Sequence, residues 1–296
     1  MKWLVVAICL AGAQGRTLYE DPTRSIRIYG YSSAEGGTNA NGDFEFQLVG
    51  NPATVESRLQ GMTLQGSIAS GVVAPARSEK EPAFIRSLNV DGPAVLTLDS
   101  ALMYQAQRDN AARFGTKAPE EPKGTDTAKL TTDRFVYSGT GSDGIFTIPN
   151  AFRIEARSEG QTPSLQYQQT MTATGSKATI NLDPAAISTI PIETGTISGP
   201  VKVHIDRTET ALGKPSEKTI MDGEADQVVL DLKSERAITL TGNVKVRGES
   251  GLYLGTSEGD TVVIFLDESL KPIRVRVTGS PTKSTLRDKS AGGGGK

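Results

Sequence analysis

A glycine-led phrase occurs three times in the sequence and constrains the fold more than any other feature. The copies begin at Gly92, Gly199 and Gly242, and in each copy the second and fourth residues after the glycine are apolar. A second glycine-led segment precedes each copy, and these segments begin at Gly66, Gly175 and Gly223. The paired glycines are therefore 26, 24 and 19 residues apart. Such near-constant spacing is typical of a repeated strand–turn–strand unit.

The segments around these glycines alternate between apolar and polar residues. The alternation is clearest in residues 201–205, 244–246 and 274–277, and it places the apolar side chains on one face of a sheet. Helical periodicity is best in residues 100–114, where we predict a helix. The 32 glycines and 15 prolines exclude a simple helical bundle. The sequence therefore predicts an all-β chain.

A partial fourth copy lies near the N-terminus. Residues 26–32 align with residues 244–250, and both are followed by a strand that closes in Gly-x-Pro, at residues 50–52 and 279–281. A unit of short strands cannot bury its own hydrophobic face, whereas neighbouring units bury a continuous core by stacking. We therefore expect an antiparallel stack of strand–turn–strand units.

Residues 237–246, followed by the Gly-Ser-Pro of residues 279–281, resemble the OstA-like proteins that bridge the periplasm in lipopolysaccharide export. The resemblance is best over residues 221–287 and extends more faintly over residues 172–208 and 25–99. It implies a stacked antiparallel β-jellyroll, folded over and open along one side, with an apolar interior that holds acyl chains. It also implies a periplasmic lipid-handling protein of outer-membrane biogenesis, whose partner is lipopolysaccharide or another acyl lipid.

An open sheet with inward-facing aliphatic side chains would accept lipid tails. Each methylene group buried there contributes roughly 0.8 kcal/mol. The candidate groove residues are Ile26, Ile28, Leu96, Leu98, Val201, Val203, Ile205, Val244 and Val246. The alternative interpretation of each residue is an ordinary core position. An open stack also presents unpaired strand edges, to which another β-jellyroll protein can add end to end.

The N-terminus has the features of a secretory signal peptide at residues 1–15. Lys2 supplies a positive charge, residues 3–11 are apolar, and Ala13 and Gly15 place small residues at the two positions that a signal peptidase reads. The apolar run is shorter than the roughly 20 residues that span a bilayer. We therefore expect export to the periplasm. Removal of this peptide also removes Cys9, the single cysteine, so no disulfide is expected.

After the signal peptide the sequence predicts a modular chain. We expect a first β-jellyroll module at residues 16–104, and a second and a third within residues 131–289. Between them, residues 105–130 are expected to be a linker with a short helix, because residues 115–129 are rich in Pro, Gly and charge. Residues 290–296, with four consecutive glycines, are expected to be a disordered tail.

The ionisable residues argue against several functions. The 32 Lys and Arg residues balance 34 Asp and Glu residues without a basic run, which argues against a nucleic-acid partner. A single His, His204, and a single Cys argue against a His/Cys zinc site and a Cys–His catalytic pair. We therefore predict no metal and no cofactor. His204 lies between Val203 and Ile205 in the alternating pattern, so we expect it to face solvent.

Two alternative functions stay open. Aspartates follow the repeated strands, and a polysaccharide-cleaving enzyme would use such a row as acid and base. These aspartates are Asp99, Asp183, Asp206 and Asp231. We interpret them instead as strand-end residues that bond to nearby backbone, and we predict no catalytic residue. The other alternative is an exported structural or adhesive β-repeat protein that binds glycan or protein through surface loops such as residues 32–42.

Overall fold

The computed structural model describes most of the chain after the predicted signal peptide. The described residues are 17–21, 23–77, 83–140, 143–161, 164–182, 192–250, 253–266, 272–279 and 282–288. The predicted signal peptide and the predicted tail at residues 290–296 lie outside them. The chain divides into two compact units, which we call unit 1 (Met1–Asn150 with Asn181–Pro191) and unit 2 (Ala151–Ile180 with Ile192–Lys296).

Unit 1 is built from antiparallel strands. They are β1 (Thr17–Glu20), β2 (Ile26–Tyr29), β3 (Ser33–Thr38), β4 (Phe44–Ser57), β5 (Met62–Ala74), β6 (Phe84–Asp99), β7 (Gly124–Gly139) and β8 (Gly144–Ile148). β4 pairs with β2, β3 and β5, while β6 pairs with β5 and β7. β1 pairs with β2, and β8 pairs with β7. Because β7 begins at Gly124, the range predicted as a linker contains the first residues of a paired strand.

A helix, α1 (Ser100–Phe114), follows β6 directly and confirms the helix predicted for these residues. The Asp99 carboxylate caps its N-terminus by accepting hydrogen bonds from the backbone N–H groups of Ala101 and Leu102, at 2.9 and 3.2 Å. Gly115 ends the helix with a φ of +66°. The helix packs against β7 and against a short 3-10 turn that joins β4 to β5.

Unit 2 is also built from antiparallel strands. They are β9 (Phe152–Gln161), β10 (Leu165–Gly175), β11 (Lys177–Leu182, at the chain boundary of the units), β12 (Ile192–Ala211), β13 (Glu217–Asp231), β14 (Ala237–Glu249), β15 (Tyr253–Leu266), β16 (Pro272–Thr278) and β17 (Lys283–Asp288). β10 pairs with β9 and β12, and the sheet continues through β13 and β14 to β15. β15 pairs with β16 at one end and β17 at the other. Both units are consistent with a jellyroll-like fold, so the predicted all-β antiparallel class is confirmed.

The three repeated glycines lie inside long strands rather than at the starts of strands. Gly92 is in β6, Gly199 in β12 and Gly242 in β14, with φ of +89°, +90° and +74°. The pairing register with a neighbouring strand shifts at each of them, which identifies β-bulges. The predicted strand–turn–strand units are present, for example as β5–β6 and β13–β14. The glycine marks the bulge within each second strand, where a close approach to the partner segment excludes a side chain.

Each bulge glycine contacts a residue of the partner segment. A Cβ atom at Gly92 would lie 2.6 Å from the Oγ of Ser67, and one at Gly199 would collide with Ser176. Positive φ and this close approach together require glycine. A bulge bends the strand that carries it. In unit 2 we therefore distinguish a long arm, containing residues 201–211 of β12 and their partners, from a short arm, containing residues 192–198 and their partners.

Candidate functional site

The nine predicted groove residues fall into one set in each unit. Unit 1 holds Ile26 and Ile28 on β2 and Leu96 and Leu98 on β6. Unit 2 holds the other five, on the long arm of β12 and on β14: Val201, Val203, Ile205, Val244 and Val246. Within each unit the residues of a set share one face of the sheet, as the alternation predicts, but the two faces differ in how closely they are packed.

Three of the four residues of the set in unit 1, Ile26, Ile28 and Leu96, belong to a filled core, whereas Leu98 is half-buried. Ile28, Val55, Leu64, Leu96 and Leu130 stand side by side in one cross-strand row, and all five are buried. Cross-strand neighbours in such a row are in contact. None of these five apolar side chains is partly exposed. Ile28 and Leu96 are therefore ordinary core positions, which was the alternative interpretation of every groove residue.

A neighbouring glycine measures how tightly this core is filled. A Cβ atom added to Gly66 would collide with the Cγ1 of Val90 and lie 3.1 Å from the carbonyl oxygen of Asp91. Real side chains do not approach this closely, so either Val90 or the backbone would have to move. The interior of unit 1 is therefore close-packed around Gly66.

The set in unit 2 becomes progressively exposed along its strands. Val201 and Val244, next to the bulges, are each 1% exposed. Further along the long arm, Val203, Ile205 and Val246 are half-buried. This gradient leaves apolar surface partly accessible, in contrast to the row in unit 1.

Strand register gathers these half-buried residues into two adjacent rows. Val203 lies opposite Gly223, and Gly223 lies opposite Val246. In the next row Ile205 lies between Met171 and Met221, and Met221 lies opposite a glycine, Gly248. We call these two rows the apolar strip; its members are Val203, Gly223, Val246, Met171, Ile205, Met221 and Gly248.

Both methionines were missed by the sequence reasoning. Met171 lies in a run of β10 that is otherwise mainly Gln, Thr and Tyr, so it does not stand out as part of an apolar strand. Its alternation with Ala173 was the available signal. Methionine side chains are flexible and adapt to irregular apolar ligands, which makes them frequent at promiscuous binding surfaces.

The two glycines of the apolar strip have space above them. A Cβ atom at Gly248 would meet no atom within 4 Å, and one at Gly223 would meet only the Cδ2 of Leu240, at 3.7 Å. Leu240 belongs to the short arm, so the two arms of unit 2 approach each other there. Near β9 the same interior is filled instead, since a Cβ atom at Gly175 would lie 2.7 Å from Ile197 and 2.9 Å from the ring of Phe152.

The short arm also presents an apolar face. Next to the bulges its side chains are buried: Ile197, Val228, Leu240 and Val262. One row further from the bulges, Leu230 and Ile238 lie opposite each other and are half-buried. In the same row Ile264, opposite Ile238, is buried, so the short arm shows the gradient on β13 and β14 but not on β15.

Polar residues follow the apolar strip on the same face of the long arm. The guanidinium of Arg207 is paired with the Glu209 carboxylate at 2.6 Å and donates a hydrogen bond from Nη1 to Oε1 of Gln169 at 3.2 Å. It also lies over the ring of Tyr167, 4.9 Å from the ring centroid. Arg207 is thus held on several sides.

The opposite face of the long arm is charged. Cross-strand pairs cover it, including Lys202 with Glu224 at 3.2 Å and His204 Nδ1 with the Asp222 Oδ1 at 2.7 Å. His204 is exposed, as predicted from its place in the alternation. The long arm is therefore an amphipathic sheet with one polar face in solvent and one apolar face that is only partly covered.

The aspartates considered as a catalytic row have structural contacts. Asp99 caps α1, and Asp231 accepts a hydrogen bond from the backbone N–H of Ser234 at 2.7 Å. Asp206 pairs with Lys218 at 2.8 Å, on the solvent face. Asp183 lies outside the described residues. Within the described ranges, no group of three or more His, Cys, Asp or Glu side chains is arranged to hold a metal ion.

Unit 1 carries an open surface depression of about 290 Å³ beside α1. Arg27, Glu56, Arg58 and Asp109 are among its lining residues. Burial, followed by a hydrogen bond to Glu56, raises the pKa of the neighbouring Tyr29 to about 12. The lining is mixed: Arg58 pairs with Glu56 at 3.3 Å, and Met62 and Leu102 are apolar.

Comparisons of this chain with protein-family models, with curated proteins and with solved structures gave no match. Among the described residues, no helix is both long enough and apolar enough to cross a membrane.

Proposed function

We propose that this chain is a non-enzymatic lipid-handling protein that holds acyl chains against the apolar strip of unit 2. The observation that carries the proposal is the combination of half-buried Val203, Ile205 and Val246 with open space above Gly248. Partly exposed apolar rows on a sheet whose other face is charged indicate a surface that is completed by an apolar ligand.

Hydrocarbon burial supplies enough free energy for such binding. Each methylene group removed from water contributes roughly 0.8 kcal/mol, so an acyl segment of about ten carbons corresponds to about 8 kcal/mol before the cost of ordering the chain. The small side chains along the strip admit a chain close to the backbone, and Met171 and Met221 can adjust around it. Unit 2 is accordingly the proposed carrier region, whereas Ile26, Ile28 and Leu96 stabilise the core of unit 1.

The proposed setting is the periplasm, reached by means of the signal peptide at residues 1–15. Support comes from the resemblance to the lipopolysaccharide-export bridge, which is best over residues 221–287 and so falls within unit 2. The proposed ligand is lipopolysaccharide or another acyl lipid. Intact-mass determination of the protein recovered from cells tests export, because cleavage after Gly15 is the expected result.

Association with other β-jellyroll proteins is a second part of the proposal. On β16, Ile273 and Val275 are 65% and 51% exposed, which is unusual for large aliphatic side chains on a strand near a sheet edge. Addition of a strand from another chain would cover them. Light scattering of the purified protein across a concentration series tests association between copies of this chain, and a concentration-independent monomer would contradict that self-association.

The lipid-binding proposal is tested with a fluorescent fatty acid and two charged replacements in the apolar strip, Val203→Arg and Val246→Arg. Each places a guanidinium where the acyl chain would lie, so we expect at least about tenfold weaker binding. His204→Arg is the matched control, since it introduces the same side chain on the same strand but on the solvent face. Failure of the unaltered protein to bind the probe, or equal weakening by the control, would contradict the proposal.

A further inference from the structure

The inner face of β12 changes character in a regular order beyond the apolar strip. Val203, Ile205, Arg207 and Glu209 alternate with outward-facing residues, so they follow one another on the same face. Successive members are about 7 Å apart along the strand. Moving away from the bulge, the face therefore presents two apolar positions, then a cation, then an anion.

The cation is fixed in position and retains donor capacity. Arg207 uses Nε and Nη2 toward Glu209 and Nη1 toward Gln169, and its side chain is 23% exposed. A guanidinium has five N–H donors, so these contacts do not exhaust it. A guanidinium immobilised in this way binds a phosphate oxygen with little further loss of side-chain entropy.

The anionic end contains two carboxylates. Glu209 on β12 lies directly opposite Glu217 on β13, so both side chains project from the same face. Two like charges in a cross-strand pair disfavour each other. Arg207, on the inner side of the pair, already pairs with Glu209 at 2.6 Å, so a cationic group bound beside Glu217 would offset the negative charge that remains.

From this order we propose that the ligand held by unit 2 is a zwitterionic phospholipid, with its phosphate at Arg207 and its ammonium group at Glu209 and Glu217. In such a lipid the acyl chain, the phosphate and the ammonium follow one another in the same sequence as the apolar strip, the guanidinium and the carboxylates. The inference rests on the lipid-binding function proposed above and adds the class of headgroup. A polyanionic lipid, lipopolysaccharide included, is disfavoured, because its second negative group would meet the carboxylate pair, so the inference selects another acyl lipid from the two ligands proposed above.

The test compares three amphiphiles that carry the same acyl chain, each below its critical micelle concentration. They are lysophosphatidylethanolamine, lysophosphatidylglycerol and the uncharged monoacylglycerol, titrated into the full chain by calorimetry. We expect lysophosphatidylethanolamine to bind about tenfold more tightly than either of the others. Inorganic phosphate and phosphoethanolamine without a chain serve as further arms, and neither is expected to bind measurably, because the headgroup contacts are partly exposed.

Two variants assign the contacts. Arg207→Gln should weaken binding of both phospholipids severalfold and leave the monoacylglycerol unchanged. Glu217→Lys should reverse the preference, so that lysophosphatidylglycerol binds more tightly than lysophosphatidylethanolamine. Lys218→Gln is the control, because Lys218 pairs with Asp206 on the solvent face. Circular dichroism of each variant shows whether the sheet is retained.

The outcomes separate the two proposals. Equal affinity for all three amphiphiles would overturn the headgroup inference and leave lipid binding in place. Tighter binding of lysophosphatidylglycerol to the unaltered protein, or tight binding of a lipid A analogue relative to lysophosphatidylethanolamine, would overturn the zwitterion assignment. Tight binding of phosphate alone would also overturn the headgroup inference, because it would indicate a free-anion site. No binding of any amphiphile would overturn the proposed function itself.

Discussion

Units 1 and 2 use the same glycine-led phrase, yet the face beneath it is sealed in one and partly open in the other. In unit 1 the row through Leu64 and Leu96 is buried across its strands, whereas in unit 2 the row through Val203 and Val246 is half-buried. The difference arises from the size of the side chains in and around each row. Large side chains such as Val90 fill unit 1, while Gly223 and Gly248 leave space in unit 2. A repeated motif thus specifies the backbone path without specifying how the interior is filled.

The largest expected effect is a difference in the free energy of unfolding between a mutation in the core of unit 1 and one in the apolar strip of unit 2. Leu64→Ala in unit 1 should lower the free energy of unfolding by about 3 kcal/mol, because it leaves a cavity in a close-packed core. Ile205→Ala in unit 2, where the side chain is already half-exposed, should cost about 1 kcal/mol. Urea unfolding of both variants measures the difference. Equal losses would mean that the two faces are equally packed and would remove the basis of the comparison.

A smaller effect is expected from glycine-to-alanine changes at the glycines that begin the first segment of two repeats, although their strand registers differ. Gly66→Ala should destabilise unit 1 by about 2 kcal/mol, since the new methyl group collides with Val90. Gly223→Ala should be neutral or stabilising by up to about 0.5 kcal/mol, because its methyl group meets only Leu240 and alanine lowers the entropy of the unfolded chain. The shift in melting temperature of each variant checks the prediction, and a large loss for Gly223→Ala would show that the strip is already filled.

The smallest expected change in stability accompanies a change in function. Gly248→Leu fills the open space of the apolar strip, so it should leave the melting temperature nearly unchanged while weakening fatty-acid binding about tenfold. Arg247→Leu adds the same side chain to the adjacent residue on the solvent face and should leave binding unchanged. Unaltered probe binding by Gly248→Leu would place the acyl chain elsewhere.

Local features of the sequence predicted much of the fold. Alternation in residues 201–205 identified which side chains face inward, and the periodicity of residues 100–114 predicted α1, whereas the capping role of Asp99 was not predicted. Both features depend on residues that are close to one another in the chain, so they can be recognised from a single sequence. The role of the repeated glycines was not predictable in the same way, because a bulge is defined by the strand beside it, as Ser67 is for Gly92.

The candidate site was predicted only in part, for the same reason. Val203, Ile205 and Val246 were correctly placed on an inward face, but the partners Met171 and Met221 become neighbours only through the pairing of β10, β12 and β13. Likewise, Arg207 and Glu217 are 10 positions apart in the chain, and the register of one hairpin places them near the same end of the strip.

The amino-acid order set the side of the sheet on which each residue lies, since the two-residue period of a strand is a local property. How deeply a residue lies below the surface was settled by folding, since burial depends on what packs against that side from distant parts of the chain. Leu96 and Val246 have equivalent positions in the repeat. One is covered by a full row of aliphatic neighbours and the other stands beside glycine, so the same pattern produced a core in unit 1 and an accessible apolar face in unit 2.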